Sequence, residues 1–382
     1  MSAFGSAFGQ QPSAAIVPAS SGAVAGAPSI RGNYAVLSPG NDGISSLCFS
    51  PTSNVLASTN WDGGVRVWDV QLSVTAGATG LGASASQPSS NGAFNAVPKI
   101  HVTHSPNTAA LCSCFSSDGT TVFSGGTDNA VRMLNLGQTV NQGSEAQQIG
   151  KHDAPVKSVG FCHESKLVVS GGWDKKLHFW DCRQPNPVGS LDLPERCYDL
   201  DVRGNMMVVA TAEKHLLVYN LSGQPVLHSN VPSPLKMQSR CVACFPDMTG
   251  FAVGSIEGRV GIQYVHKVSG KESFAFKCHR HGQDAYAVND ICFHQFGTFA
   301  TVGADGVINF WDKDNKHRIK GFDRFENQVS CASFNAQGNI FAYASSYDWS
   351  QGHGAYAPGG GSPNGIFLNY TPEEHVRPKK KK

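Results

Sequence analysis

Trp173-Asp174-Lys175-Lys176-Leu177-His178-Phe179-Trp180-Asp181 decides how this chain is read, because variants of it recur along the sequence. The other strong copies are Trp61-Asp62-Gly63-Gly64-Val65-Arg66-Val67-Trp68-Asp69, Thr127-Asp128-Asn129-Ala130-Val131-Arg132-Met133-Leu134 and Ala304-Asp305-Gly306-Val307-Ile308-Asn309-Phe310-Trp311-Asp312. In each, an Asp in a tight turn is followed three residues later by an aliphatic residue and six residues later by Trp or Leu. Weaker copies anchored at Glu213, Glu257 and Asp348 bring the number of units to seven. A chain of 382 residues could hold two or three ordinary domains, but a fixed repeat across most of it argues for one closed array.

The period, near the ~40 to 45 residues of WD repeats, predicts an all-β fold, a seven-bladed WD40 β-propeller. Forty-two glycines and 15% charged residues suit many short strands joined by tight turns. The formal net charge of +2 gives the whole molecule little attraction for nucleic acid, so any basic function must be local, as at Lys379 to Lys382. The eleven cysteines include one Cys-x-x-Cys, Cys241 to Cys244, with no second pair at zinc-finger spacing. They read as small buried residues of a reducing compartment, and neither a metal nor a cofactor is expected. No apolar run reaches membrane-spanning length and the N-terminus has no signal-peptide pattern, so the expectation is a soluble intracellular protein.

Residues 1–30 carry no charged side chain and repeat Ser-Ala-Phe-Gly at Ser2 and Ser6, which reads as a disordered Phe-Gly-containing N-terminal tail. The propeller is expected over residues 31–371. Within it, 71–98 reads as a mobile insertion in the first blade and 352–364 as a Gly/Pro-rich loop in the seventh, and 372–382 forms a basic C-terminal tail. Innermost strands are predicted at Ile44 to Phe49, Ala110 to Phe115, Val156 to Phe161, Tyr198 to Val202, Cys241 to Phe245, Ile291 to Phe293 and Val329 to Phe334. The seventh blade lacks a strand, and Tyr34 to Leu37 can supply it, so that the N-terminal strand closes the last blade.

Two sets of residues stand out. His152, Ser170, Asp174 and Trp180 match the hydrogen-bonded set that satisfies polar groups between WD blades, and they are read as structural. A hydrolase triad is the sharper reading of His, Asp and Ser together, but the same acid and Trp positions recur in other blades and no G-x-S-x-G elbow accompanies the serine. An enzymatic propeller would need an uncompensated acid cluster or metal ligands in the central channel; the sequence shows neither, and no catalytic residue is assigned. The residue before each anchor acid is aimed at one open face: Trp61, Thr127, Trp173, Ala212, Ile256, Ala304 and Tyr347. Trp61, Trp173 and Tyr347 there form a candidate docking rim.

Over residues 31–375 the chain resembles the WD-repeat mRNA export factor of the nuclear pore, and more distantly the related WD-repeat spindle checkpoint protein. The carriers are Pro234-Leu235-Lys236, Arg240-Cys241-Val242-Ala243, Gly254-Ser255-Ile256-Glu257-Gly258-Arg259-Val260, Phe276-Lys277-Cys278-His279-Arg280 and Tyr286-Ala287-Val288-Asn289. Trp311-Asp312-Lys313-Asp314 and Asn339 to Trp349, ending in Tyr347-Asp348-Trp349, favour the export factor. The resemblance implies binding of a GLEBS hairpin carried by an FG nucleoporin, with Arg240 and Arg259 meeting its acids and Trp61 and Trp173 as aromatic contacts. It also implies contact with mRNA or messenger ribonucleoprotein, for which Lys379, Lys380, Lys381 and Lys382 are the candidates together with face lysines. A non-catalytic adaptor at the nuclear pore and nuclear envelope, able to shuttle to the cytoplasm, follows from it. The alternative is a checkpoint adaptor holding a kinetochore protein through the same face.

Overall fold

Short apolar runs punctuated by Gly, Asn and Asp become seven sheets of four or five strands, antiparallel except where Val102 and Thr103 pair in parallel with Ser144 and Glu145, and one small two-stranded ladder at Arg280–His281 and Asp284–Ala285. The computed structural model describes residues 33–74, 92–184, 186–265, 270–350, 352, 354 and 364–378. Among these, seven sheets form the blades of a β-propeller; blades are numbered in chain order, and strands a to d run outward from the axis. Strand a is Ile44–Phe49, Ala110–Phe115, Val156–Cys162, Cys197–Arg203, Ser239–Cys244, Val288–Phe293 and Val329–Phe334 in turn. Each of these strands touches the next and the seventh touches the first, so the ring is closed.

The core lies between blades. Val169, Leu177 and Phe179 of blade 3 pack on Leu200, Met207 and Val209 of blade 4, and Leu56 and Trp68 of blade 1 pack on Ile340, Ala342 and Leu368 of blade 7. Strand b is covered on both faces, and in blades 1, 4, 5, 6 and 7 every one of its six residues is buried. This explains why these strands read as continuous runs of small and apolar residues and not as alternation.

The seam is formed by Tyr34–Ala35, which pairs antiparallel with Gly365–Tyr370 in the register Tyr34↔Leu368 and Ala35↔Phe367. Val36 N–H then donates to Ile366 O at 2.8 Å, and its side chain is buried in the blade 1 to blade 7 core. Trp68 Nε1 donates to Leu37 O at 3.1 Å, which ties the same segment to blade 1.

Two boundaries differ from the sequence reading. The ends of the 71–98 segment are strand: Gly64–Val74 pairs with Gly92–Thr103 as one long hairpin, with Leu72 opposite Phe94. Both side chains pack with Tyr34 on the seam core, and the Gly/Ala/Ser-rich middle of the segment masks that alternation when composition is averaged. Residues 75–91 lie outside the described residues, as do 1–32 and most of 352–364. The C-terminal correction is similar. Val376 is buried between blades 6 and 7 and its carbonyl accepts from Thr298 Oγ1 at 2.6 Å, so the docked chain includes Val376 and does not stop at 371. One apolar residue among charged neighbours is too little signal to show this.

Deleting residues 1–28 should leave the melting temperature unchanged, whereas deleting 1–40 removes the seam strand and exposes the edge of Gly365–Tyr370. Thermal melts and light scattering of the two truncations check this; equal behaviour would refute the seam.

Candidate docking face

In blade 3, Trp180 Nε1 donates to Ser170 Oγ at 2.7 Å, Ser170 Oγ donates to His152 Nε2 at 2.7 Å, and His152 Nδ1 donates to Asp174 Oδ2 at 2.9 Å. That order of donors fixes His152 as the neutral imidazole with its proton on Nδ1. Burial pushes its pKa down to about 4, against the opposing pull of Asp174. The same device stands in blade 6 as Trp311, Thr301, His279 and Asp305, and in blade 2 as Ser124, His104 and Asp128. The sequence reading singled out blade 3 alone. His104 and His279 lie 24 and 26 residues before their acids, against 22 for His152, and that spacing was the available signal.

The turns between strands b and c are tied to the residue before strand a: Trp61 N–H donates to Gly43 O at 2.9 Å, Trp173 to Pro155 O at 2.9 Å and Ile256 to Gln238 O at 3.1 Å. These bonds put the start of every strand a on the same face as the rim. Trp61 and Trp173 are 43% and 41% exposed, which is unusual for Trp and leaves them available as anchors. The Arg196 guanidinium lies 6.0 Å from the Trp173 ring. Tyr347 is placed differently. The residue equivalent to Trp61 and Trp173 in blade 7 is Ser346, which donates N–H to Gln328 O at 3.0 Å and is fully buried. Tyr347 is one residue further on and half-buried, because Ser345 and not Ser346 pairs with Val329. Trp349, unassigned from the sequence, joins it: its ring lies 5.6 Å from Tyr347 and 6.0 Å from Trp61, so three aromatics make one cluster.

Each strand a carries a bulge near its start, and the extra residue differs from blade to blade: Ser45, Leu111, Lys157, Tyr198, Arg240, Asn289 and Ser330. Arg240 therefore sits at the mouth of the axial channel, whose volume is about 390 Å³. Among the described residues no carboxylate pairs with Arg240, whereas Arg259 Nε is 3.8 Å from Glu257 Oε2. Arg280 donates to the Glu257 carbonyl through Nε and Nη2 at 3.0 and 2.9 Å and backs the same corner.

Three acids line the channel, each compensated by a backbone donor of the next blade. Asp199, Asp201 and Asp290 accept the backbone N–H of Val242, Cys244 and Ala332 at 2.9, 2.7 and 3.0 Å. They clip blade 4 to blade 5 and blade 6 to blade 7 where the inner strands splay too far apart to bond each other directly. Burial raises the Asp199 carboxyl above the usual range and pushes Asp290 up to about 7. The spacing of acids along a strand does not reveal which of them reach a neighbouring blade.

A second feature lies at the outer edge of blades 5 and 6, a cavity of about 530 Å³ lined by Tyr264, Lys271, Glu272, Phe274, Lys313, Asp314 and Lys316. Lys316 Nζ stands 4.7 Å from the Phe274 ring and Lys271 Nζ 5.8 Å from Tyr264. Lys271 and Lys313 share Asp314, each at 3.1 Å. Lys379 to Lys382 lie outside the described residues.

Asp174→Ala should lower stability by roughly 1–3 kcal/mol, because it strands the buried His152 and Ser170, while Trp173→Ala costs much less. Denaturant melts of the two variants check the order. The pH dependence has a definite sign: His152 titrates near 6.5 when unfolded and about 4 when folded, so the unfolded chain takes up the proton first as pH falls. Its contribution is complete above about 6.5 and is lost towards pH 4. His152→Asn should flatten that part of the stability profile, measured by unfolding at pH 7 and pH 5.

Residues 33–69, 98–135, 143–181 and 270–312 match the WD domain, G-beta repeat, family. The chain is 40% identical over 348 residues to Protein RAE1 of Arabidopsis thaliana, covering 91% of itself and 93% of that protein. It is 37% identical over 361 residues to the Poly(A)+ RNA export protein of Schizosaccharomyces pombe, with 92% and 94% covered. To the mRNA export factor of Xenopus tropicalis it is 43% identical over 365 residues, 91% of each chain. With similarity running through the whole ring of blades and not through the repeat motif alone, the chain belongs to the WD-repeat mRNA export factor family.

Proposed function

We propose that the chain is a non-catalytic adaptor in the export of mRNA from the nucleus, working at the nuclear pore by docking the acidic GLEBS hairpin of an FG nucleoporin on its aromatic face. The names of its relatives, an mRNA export factor and a poly(A)+ RNA export protein, support the process. The observation that carries the partner is Arg240: a guanidinium at the channel mouth with no acid against it among the described residues, on the face where Trp61 and Trp173 stand exposed. An arginine fork takes a carboxylate through two parallel hydrogen bonds, and aromatic neighbours that exclude water strengthen them. Arg259 already shares Glu257, so its contribution is smaller. RNA contact is the second part of the reading. Lysines interleaved with Tyr264 and Phe274 at the blade 5 to blade 6 edge favour it, since cations track phosphates while rings accept stacked bases. The tail lysines Lys379 to Lys382 would add sequence-independent attraction.

Calorimetric titration of the folded protein with a GLEBS peptide tests the docking. Arg240→Glu should abolish binding, Arg259→Glu should weaken it less, and Trp173→Ala should weaken it without changing its salt dependence. A peptide with acids replaced by arginine should partly restore binding to Arg240→Glu. Full affinity in Arg240→Glu would rule out that anchor. In the same series Lys316→Glu should lower affinity for single-stranded RNA and leave peptide binding unchanged.

A further inference from the structure

Blade 3 differs from its neighbours in one side chain beside the anchor acid. Four residues after that acid, blades 1 and 2 carry an arginine that pairs with it, Arg66 on Asp62 at 2.8 Å and Arg132 on Asp128 at 2.9 Å. Blade 6 has Asn309 at this position, held by Arg318 at 3.3 Å. Blade 3 has His178. Its ring stands 4.4 Å from the ring of His152, and one donor atom each from His152, Asp174 and His178 lie within 4.8 Å of one another. Among the described residues no lysine or arginine side chain pairs with the Asp174 carboxylate, so the charge that Arg66 and Arg132 supply elsewhere is missing.

We propose that His152, Asp174 and His178 form a binding site for a divalent transition-metal ion, zinc(II) by its donor set, at the face edge of blade 3. Two imidazoles and a carboxylate are borderline donors of the kind zinc takes, with a fourth position left to water. Ligand bonds of about 2.0–2.2 Å in a tetrahedron separate donor atoms by roughly 3.4 Å, so closure asks for a rotation of the half-buried His178 and a shift of the Asp174 carboxylate, now 2.9 Å from His152 Nδ1, to admit the ion between them. Ser190 Oγ, 2.6 Å from His178 Nδ1, is placed to fix that ring from behind, as outer partners of metal-bound histidines do. The proton balance is simple. His152 gives its Nδ1 lone pair to the ion and carries its proton on Nε2, where it donates to Ser170 Oγ; that oxygen then accepts from both His152 and Trp180, and the Ser170 hydroxyl proton gives up Nε2 as its acceptor, a cost that coordination has to exceed. The Asp174 carboxylate exchanges an accepted hydrogen bond for coordination. The ion would thus take the place of the missing arginine and lock strand c to the segment before strand a.

The test uses the full chain, stripped with a chelator and titrated with cobalt(II) chloride and zinc chloride. One equivalent of cobalt should give a tetrahedral visible spectrum without thiolate-to-metal charge transfer, zinc should displace it, and zinc should raise the melting temperature. His178→Arg, which installs the pairing of blades 1 and 2, should melt no lower than the wild-type protein without metal and bind zinc at least tenfold more weakly, the order expected for loss of a ligand or its support. Absence of binding to the wild-type chain, unchanged zinc affinity in His178→Arg, or a cobalt spectrum dominated by thiolate ligation would each overturn the proposal.

Discussion

No blade of this protein can bury its own faces, and closure of the ring is the constraint on which everything else rests. Strand b is covered on both sides in most blades, so each sheet requires a neighbour on the left and on the right. A linear array would leave two raw apolar faces and open edges. Tyr34–Ala35 removes that problem by lending N-terminal sequence to the C-terminal blade, and Val36 and Trp68 then share one core with Ile340 and Leu368. Removing water from between the blades creates a second requirement, that the polar groups caught there find partners. The three His, Asp and hydroxyl sets meet it.

The adjacent pair Trp173 and Asp174 shows how sharply the fold separates these roles. The carboxylate is turned inward to a neutral imidazole, while the indole one residue earlier is turned out, with the Arg196 guanidinium beside it. A single peptide unit divides what holds the blade together from what is free to meet another protein. The basic and aromatic edge of blades 5 and 6 is separate again, since it is built from strand c, strand d and the turn after Trp311 and not from the face-forming turns.

What was legible in the sequence was whatever repeats. The strands a, the seam and the blade 3 network follow from period, alternation and the acid-to-Trp spacing. What was missed depends on register or on contacts between blades. Tyr347 reaches the rim one residue later than Trp61 and Trp173 do, because blade 7 is offset by one residue after Ser345, a shift that an Asp at position 348 conceals. Trp349 meets Trp61 only because the last blade abuts the first. Asp199, Asp201 and Asp290 look like ordinary strand residues until strand a of the next blade is set beside them. Val376 and the paired ends of the 71–98 segment were hidden by the composition of their surroundings.

The bulge at the start of every strand a inserts a residue that the ladder does not count. Side chains on the regular part of the strand are chosen by packing within the ladder; the inserted one stands outside the ladder, and its partners differ from blade to blade, as with Ser45 on Thr59 and Asn289 on the Val329 carbonyl. These seven positions are freed from the repeat, and here they hold two hydroxyls, an amide, a phenol, an aliphatic group and two cations, all but the phenol lining the channel. A rotationally repetitive scaffold acquires a mouth with no rotational symmetry, and a ligand lying across it can be held in only one orientation.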